Sequence, residues 1–336
     1  MTKNFQAEKA LVRALYRDLD QAAGADCSAV LLEYCAADLA WHGFHPFNDI
    51  LGPAEVAARF YAPLKAALSK MQRRQDIFIA GRNDCDQGAS VWVASMGHLM
   101  GLFDAPWLGI RPTRKIAMLR YCEFHRVADG KITETAMFFD IPHLMVQAGQ
   151  NPFPPATGAH LVQPGPMTHA GLCFDPQDPA EGAKTMQAIK FMISDIKTWT
   201  GGRQEPLVDE LRRSWNDDMI WWGPTGIGAT YTIERYGEQH SGPFRAAFKD
   251  RQFNGHIARI AEGHFGGFFG WPNLTLEPTG GFMGMPATGK PADMRVIDMY
   301  RREGAKLTEN WIFIDLLHFW NQQGVDVLKR TTEIQP

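Results

Sequence analysis

The feature that most constrains this chain is that it is written twice. "ADLAWHG" (37–43) lies over "DDMIWWG" (217–223), and "PLKAAL" (63–68) over "PFRAAF" (243–248), both at an offset of 180 with no gap between them. Further on, "KITETAMFFDIPH" (131–143) matches "KLTENWIFIDLLH" (306–318) at an offset of 175, so five residues have been lost between the blocks. Similarity that holds register over such lengths marks an internal duplication. A chain of 336 residues also exceeds one ordinary core and suits two domains. The expected division is a first copy over 1–149, a linker over 150–179 and a second copy over 180–336. The linker, "QNPFPPATGAHLVQPGPMTHAGLCFDPQDP", is too rich in Pro and Gly for a helix or an interior strand. It reads as a spacer, with a lid over one domain as the alternative.

Within each copy the pattern runs helix, helix, short strand, helix, then several strands and a short final helix. That order makes the fold class α+β rather than alternating β-α-β. "ALVRALYRDLDQA" and "EVAARFYAPLKAAL" carry apolar residues at helical spacing. "KIAMLRYCEFHRV" and "KITETAMFFD" flank Asp129-Gly130, a pair suited to a two-residue hairpin turn. With that turn, residues whose numbers sum to 259 are expected to face each other. His125, Glu123, Tyr121 and Asp140 would then share one face of the sheet as a polar column. In the second copy Val296, Asp298 and Tyr300 take the places of Tyr121, Glu123 and His125. Asp298 would face Trp311 unless the longer "REGAKL" turn shifts the pairing.

Asp140 and Asp315 each close a buried strand, where ionisation is costly and the pKa should rise toward neutrality. They are the candidate acid/base groups, and a simple helix cap is the competing reading. His143 and His318, three residues on, share a helical face with them and could orient them, or could be satisfied core histidines. His42 and His45 fit a polar pocket wall better than a metal site, since Pro46 follows and no third ligand is evident. Most of the tryptophans read as core packing, while Trp41, Trp221, Trp222 and Trp311 sit in the strands nearest the acidic column, where their rings would suit a flat organic ligand.

Other classes find less support. The net charge of -3 provides no basic field for nucleic acid, and no apolar run approaches the roughly 18 residues needed to span a bilayer. No Gly-rich phosphate loop follows a strand, so no cofactor is expected. Met1–Val12 lacks the features of a secretory signal, so a cytoplasmic location is expected. Five cysteines without C-x-x-C spacing suggest reduced, buried thiols.

"DDMIWWGPTGIG" (217–228), "GFMGMPATGK" (281–290) and "MYRREGAKLTENWIFIDLLHFWNQQGVDVL" (299–328) resemble the SnoaL-like polyketide cyclases, within the nuclear transport factor 2-like fold. The first copy keeps the late aspartate and the Q-x-G ending in "FFDIPHLMVQAG". It departs in "GHLMGLFDAPWLGIRPTRK" (97–115). The resemblance implies a curved antiparallel sheet packed on helices, a cone opening on an apolar pocket. It places the family's pocket aspartate at Asp140 and Asp315. It also implies that two such domains pair through their sheets, so that the halves would form an intramolecular pseudo-dimer, with further homodimerisation open. The expected activity is acid/base chemistry on a carbonyl-bearing hydrophobic small molecule, such as intramolecular aldol condensation. The alternative is a tandem binding module without catalysis. Segments 97–115 and 266–280 are expected as loops that set the pocket volume.

Overall fold

The computed structural model describes residues 4–159, 163–197 and 205–334. It contains two curved, mostly antiparallel sheets of matching topology, each with helices on one face. The first has the order β2-β1-β6-β5-β4-β3, from strands β1 (Cys35–Gly43), β2 (Asn48–Leu51), β3 (Leu68–Arg82), β4 (Val91–Phe103), β5 (Ile116–Ala128) and β6 (Lys131–Phe139). In the second, β7 (Trp215–Trp222), β8 (Ala229–Tyr231), β11 (Phe265–Pro278), β12 (Ala292–Glu303) and β13 (Lys306–Ile314) repeat β1, β2, β4, β5 and β6. The exception is β3. Its second-half counterpart is broken into β9 (Phe248–Phe253) and β10 (Ala258–Glu262), both paired to β11. Residues expected as loops at 97–103 and 266–278 belong to β4 and β11, where alternate side chains enter the core.

Both helical readings hold. Gln6–Gln21 buries Val12, Leu15, Tyr16 and Leu19 on one stripe. The 53–67 stretch is helical throughout, with one wide π turn over Ala57–Tyr61 that keeps Val56, Phe60 and Leu64 on the core side.

The hairpin turn also holds, because Ala128 pairs with Lys131 across Asp129-Gly130, both at positive φ. The register beyond it does not. A bulge between Arg126 and Val127 moves the pairing sum from 259 to 260, giving His125 opposite Thr135, Glu123 opposite Met137 and Tyr121 opposite Phe139. A shift of one residue exchanges faces. Tyr121, Glu123 and His125 stay together, but Asp140, whose N–H donates to the Arg120 carbonyl, leaves their column. A bulge between Arg301 and Arg302 acts likewise in the second half: Asp298 faces Ile312, and Trp311 turns to the opposite face.

The outer faces of the sheets pack on each other. Phe269 lies 5.4 Å from Trp92 and 5.5 Å from Phe124 between ring centres, and Trp271 lies 5.5 Å from Phe138. The described part of 150–179 runs along this seam, pairing Gly171 and Cys173 with Phe78 and accepting the Trp311 indole N–H at Pro164. Four cysteines are buried. Cys85 is exposed because it sits in a 3-10 turn between β3 and β4. No helix among the described residues is long and apolar enough to cross a membrane.

Candidate functional site

A cavity of about 190 Å³ opens inside the second half, between the concave face of its sheet and the helices that cover it. Strand alternation supplies the floor. Val296, Asp298 and Tyr300 of β12 and Asn310, Ile312 and Ile314 of β13 all point the same way. Trp221 enters from β7, stacked on His240 at 3.8 Å, and Phe268 from β11, stacked on His256 at 3.9 Å.

Asp298 is the polar centre of this floor and is only 6% exposed. Asn310 Nδ2 donates to its Oδ1 at 2.9 Å, and the Tyr300 hydroxyl hydrogen-bonds to the same carboxyl. Burial pushes the Asp298 carboxyl up to about 7, and the bonds from Asn310 and Tyr300 and the more distant charge of Arg120 only partly oppose that. Tyr300 is itself driven well above its ordinary value by burial and by Asp298, so it remains a donor. The other carboxylates lining the cavity are paired with arginines: Glu210 with Arg245 at 2.7 Å and Asp195 with Arg213 at 2.8 Å. No cation contacts Asp298 among the described residues. The imidazole of His240 is pushed down to about 3 by burial alone and stays neutral.

The corresponding space in the first half is filled. Arg73, from β3, lies 4.0 Å above the Tyr16 ring and 4.9 Å from that of Tyr121, and its Nη1 meets Glu123 at 3.1 Å. Tyr16 donates to Glu123 at 2.7 Å, and His125 bridges Glu123 (2.8 Å) to Thr135 (2.9 Å). Burial raises the Glu123 carboxyl, but Arg73 and His125 outweigh it and bring it down to about 2. Trp41 packs on Phe47 and Phe60 in the same core.

The late aspartates are placed elsewhere. Asp140 Oδ1 accepts the His143 N–H and its Oδ2 the Thr225 N–H, with Arg120 Nη1 at 4.0 Å. Asp315 Oδ1 accepts the His318 N–H and its Oδ2 the His45 N–H, with Arg295 Nη1 at 3.4 Å. Each therefore caps the short helix after its strand and reaches into the other half. Thr225 and His45 occupy the same repeat position, so the two clamps are reciprocal. Burial pushes the Asp315 carboxyl up to about 6, opposed by the His45 N–H and Arg295. Asp315 does not line the cavity. In both copies the histidine meets the aspartate through its backbone N–H, not its ring, and burial takes the His318 imidazole down to about 4.

Of the remaining sequence candidates, Trp221, Asp298 and Tyr300 line the cavity. Trp222 and Trp311 face the other side of the sheet, and the Trp222 carbonyl accepts from Arg120 at 3.1 Å. His42 pairs with Asp49 at 2.6 Å and Glu134 at 3.3 Å and does not line the cavity, and no metal-ligand cluster occurs among the described residues. The described linker residues do not line the cavity. Sequence reading missed Asn310, His240, Glu210 and Arg245. The signal for Asn310 and His240 was available, because the repeat offsets set them against Thr135 and Phe60, where the two copies differ in kind.

Residues 272–323 match the family model for the SnoaL-like polyketide cyclases. No curated protein matches the sequence. Among solved structures, a protein from Jannaschia sp. assigned as a SnoaL-like polyketide cyclase is 21% identical, with a TM-score of 0.36, over 46% of this chain and 97% of its own. AclR from Streptomyces galilaeus, assigned as a hydroxylase, is 18% identical, with a TM-score of 0.35, over 43% and 97%. IdmH from Streptomyces antibioticus, assigned as a polyketide cyclase, is 18% identical, with a TM-score of 0.33, over 42% and 96%. The matched segment contains Asp298, Tyr300 and Asn310, and it is in this segment that the chain resembles the SnoaL-like polyketide cyclases.

Proposed function

We propose that the second half is an acid/base enzyme acting on a compact, hydrophobic, carbonyl-bearing small molecule, with Asp298 as the proton carrier. The observation that carries this reading is a carboxyl that no cation contacts among the described residues, at the floor of an apolar cavity, whose pKa burial brings to about 7. Such a group exchanges protons efficiently near neutral pH. Asp298 takes the proton from the carbon beside the carbonyl, and the electron pair of that C–H bond moves onto the carbonyl oxygen. A protonated tyrosine next to the acceptor, Tyr300, can donate to the developing oxyanion. The enolate then closes on a second carbonyl, is reprotonated at another carbon, or expels a leaving group. A volume of about 190 Å³ lies below the roughly 300 Å³ at which drug-sized pockets begin. One- or two-ring substrates fit that volume best.

The test uses a panel of one- and two-ring ketones, 2-tetralone among them, and follows deuterium uptake from D2O beside the carbonyl. Asp298→Asn should slow exchange at least ~100-fold while ligand binding, read by quenching of Trp221, persists. Ketones that bind without Asp298-dependent exchange would establish the second reading, a binding module, which the apolar walls alone also support.

A further inference from the structure

The cavity has a second polar end that the proton transfer does not use. Glu210, in the helix Leu207–Arg212, and Ser214, just before β7, both line it and are 2% and 5% exposed. Glu210 Oε1 is held by Arg245 at 2.7 Å, but Glu210 Oε2 and Ser214 Oγ have no hydrogen-bond partner among the described residues. Buried polar atoms of native proteins are almost always satisfied, and an unsatisfied pair carried by residues that line a cavity can be completed by a ligand bound there. The two atoms are complementary: a carboxylate oxygen only accepts, whereas a hydroxyl both donates and accepts. A ligand hydroxyl answers both, donating to Glu210 and accepting from Ser214. This end belongs to the second half alone, since the offset of 180 sets Glu210 against Val30 and Arg245 against Lys65.

Spacing then fixes where that hydroxyl sits on the ligand. Leu307 of β13 donates its N–H to the Ser214 carbonyl, and Asn310, three residues along the same strand, holds Asp298. Three strand residues span roughly 10 Å. Between the ends the walls are aromatic, with Trp215 lying 6.0 Å from Tyr300 and 5.9 Å from Tyr236. We infer that the substrate is a hydroxylated bicyclic ketone, its carbonyl end at Asp298 and its far-ring hydroxyl at Glu210 and Ser214.

This inference rests on the function proposed above, and the experiment separates the two. 2-Tetralone and 6-hydroxy-2-tetralone are compared for binding and for deuterium exchange. The hydroxylated compound should bind the wild-type protein about tenfold more tightly, the value of a hydrogen bond to a charged group. The double variant Glu210→Leu/Arg245→Met, which leaves neither charge alone, should reduce that preference to within about twofold while affinity for plain 2-tetralone is kept. Ser214→Ala, a smaller change that retains the ion pair, should remove roughly a threefold part of the preference and serves if the double variant does not fold. Equal binding of the two ketones by wild type, or a preference that survives in both variants, overturns the inference. Loss of Asp298 dependence with plain 2-tetralone overturns instead the proton-transfer reading on which it depends.

Discussion

The two halves place a carboxylate at the same point of the same strand, Glu123 in one and Asp298 in the other, and surround it in opposite ways. Glu123 has Arg73, Tyr16 and His125 packed onto it. At the offsets of the repeat, those three partners are replaced by Phe253, Ile196 and Tyr300. With the guanidinium gone, no cation among the described residues contacts the acid and Arg120 acts on it only at a distance, so a carboxyl held at about 2 in one cone stands at about 7 in the other. The strand that carries Arg73 is continuous, whereas its counterpart breaks between Phe253 and Ala258, where Phe253 and His256 become cavity wall. A duplicated fold can thus keep one copy as a packed support and open the other by exchanging a few core side chains and breaking one edge strand, with the rest of the strand order kept.

The sharpest way to break this contrast is to remove the plug. Arg73→Met should destabilise the protein by about 3–5 kcal/mol in urea unfolding, because it leaves Glu123 buried without its cation. Adding Glu123→Gln should recover much of that loss; if Arg73→Met alone is neutral, the plug is not what holds the first cone.

The next effect is on pH. Asp298 keeps its proton in the folded chain up to about pH 7 but releases it near its ordinary value of 3.8 when unfolded. Its contribution to stability is therefore present at acid pH and lost as pH rises through about 7. Asp298→Asn should remove a decline on the order of 4 kcal/mol between pH 4 and 7 from the stability curve. Glu123 has the opposite sign: its contribution is present above its ordinary value of 4.5 and is lost as pH falls toward 2. Difference curves from Asp298→Asn and Glu123→Gln that run the same way would remove the contrast.

Replacing either clamp should cost less. Asp140→Ala and Asp315→Ala each lose a helix cap and one contact between halves, about 2 kcal/mol together. Deuterium exchange on 2-tetralone should remain within a few-fold of wild type. A collapse of exchange in Asp315→Ala at unchanged stability would return the acid/base role to the late aspartate. Smallest of all, His240→Phe copies Phe60 of the first half and removes a neutral ring. It should change stability by under ~1.5 kcal/mol and leave the pH profile of exchange where it was.

The polar column was legible because alternation along a strand is independent of register: Val296, Asp298 and Tyr300 were correctly grouped from spacing alone. Asp140 was placed wrongly on that face because one extra residue in a bulge exchanges faces, and nothing in "EFHRVADGKITE" marks the bulge. The late aspartates looked catalytic for a sound reason, since they are buried acids at strand ends. What spacing could not show was that each would find a backbone N–H in the other half, 85 residues away for Thr225 and 270 for His45.

From the sequence alone came the duplication, the α+β class, the helices, the hairpin turn and the acidic position in each copy. All of these follow from periodicity and local backbone preference, which act over a few residues. Only the tertiary structure decided which of four buried acids faces an open cavity. That depends on whether an arginine from a distant strand arrives to neutralise the acid and fill the space, as Arg73 does for Glu123, or whether, as at Asp298, no cation among the described residues makes contact and Arg120 acts only at a distance.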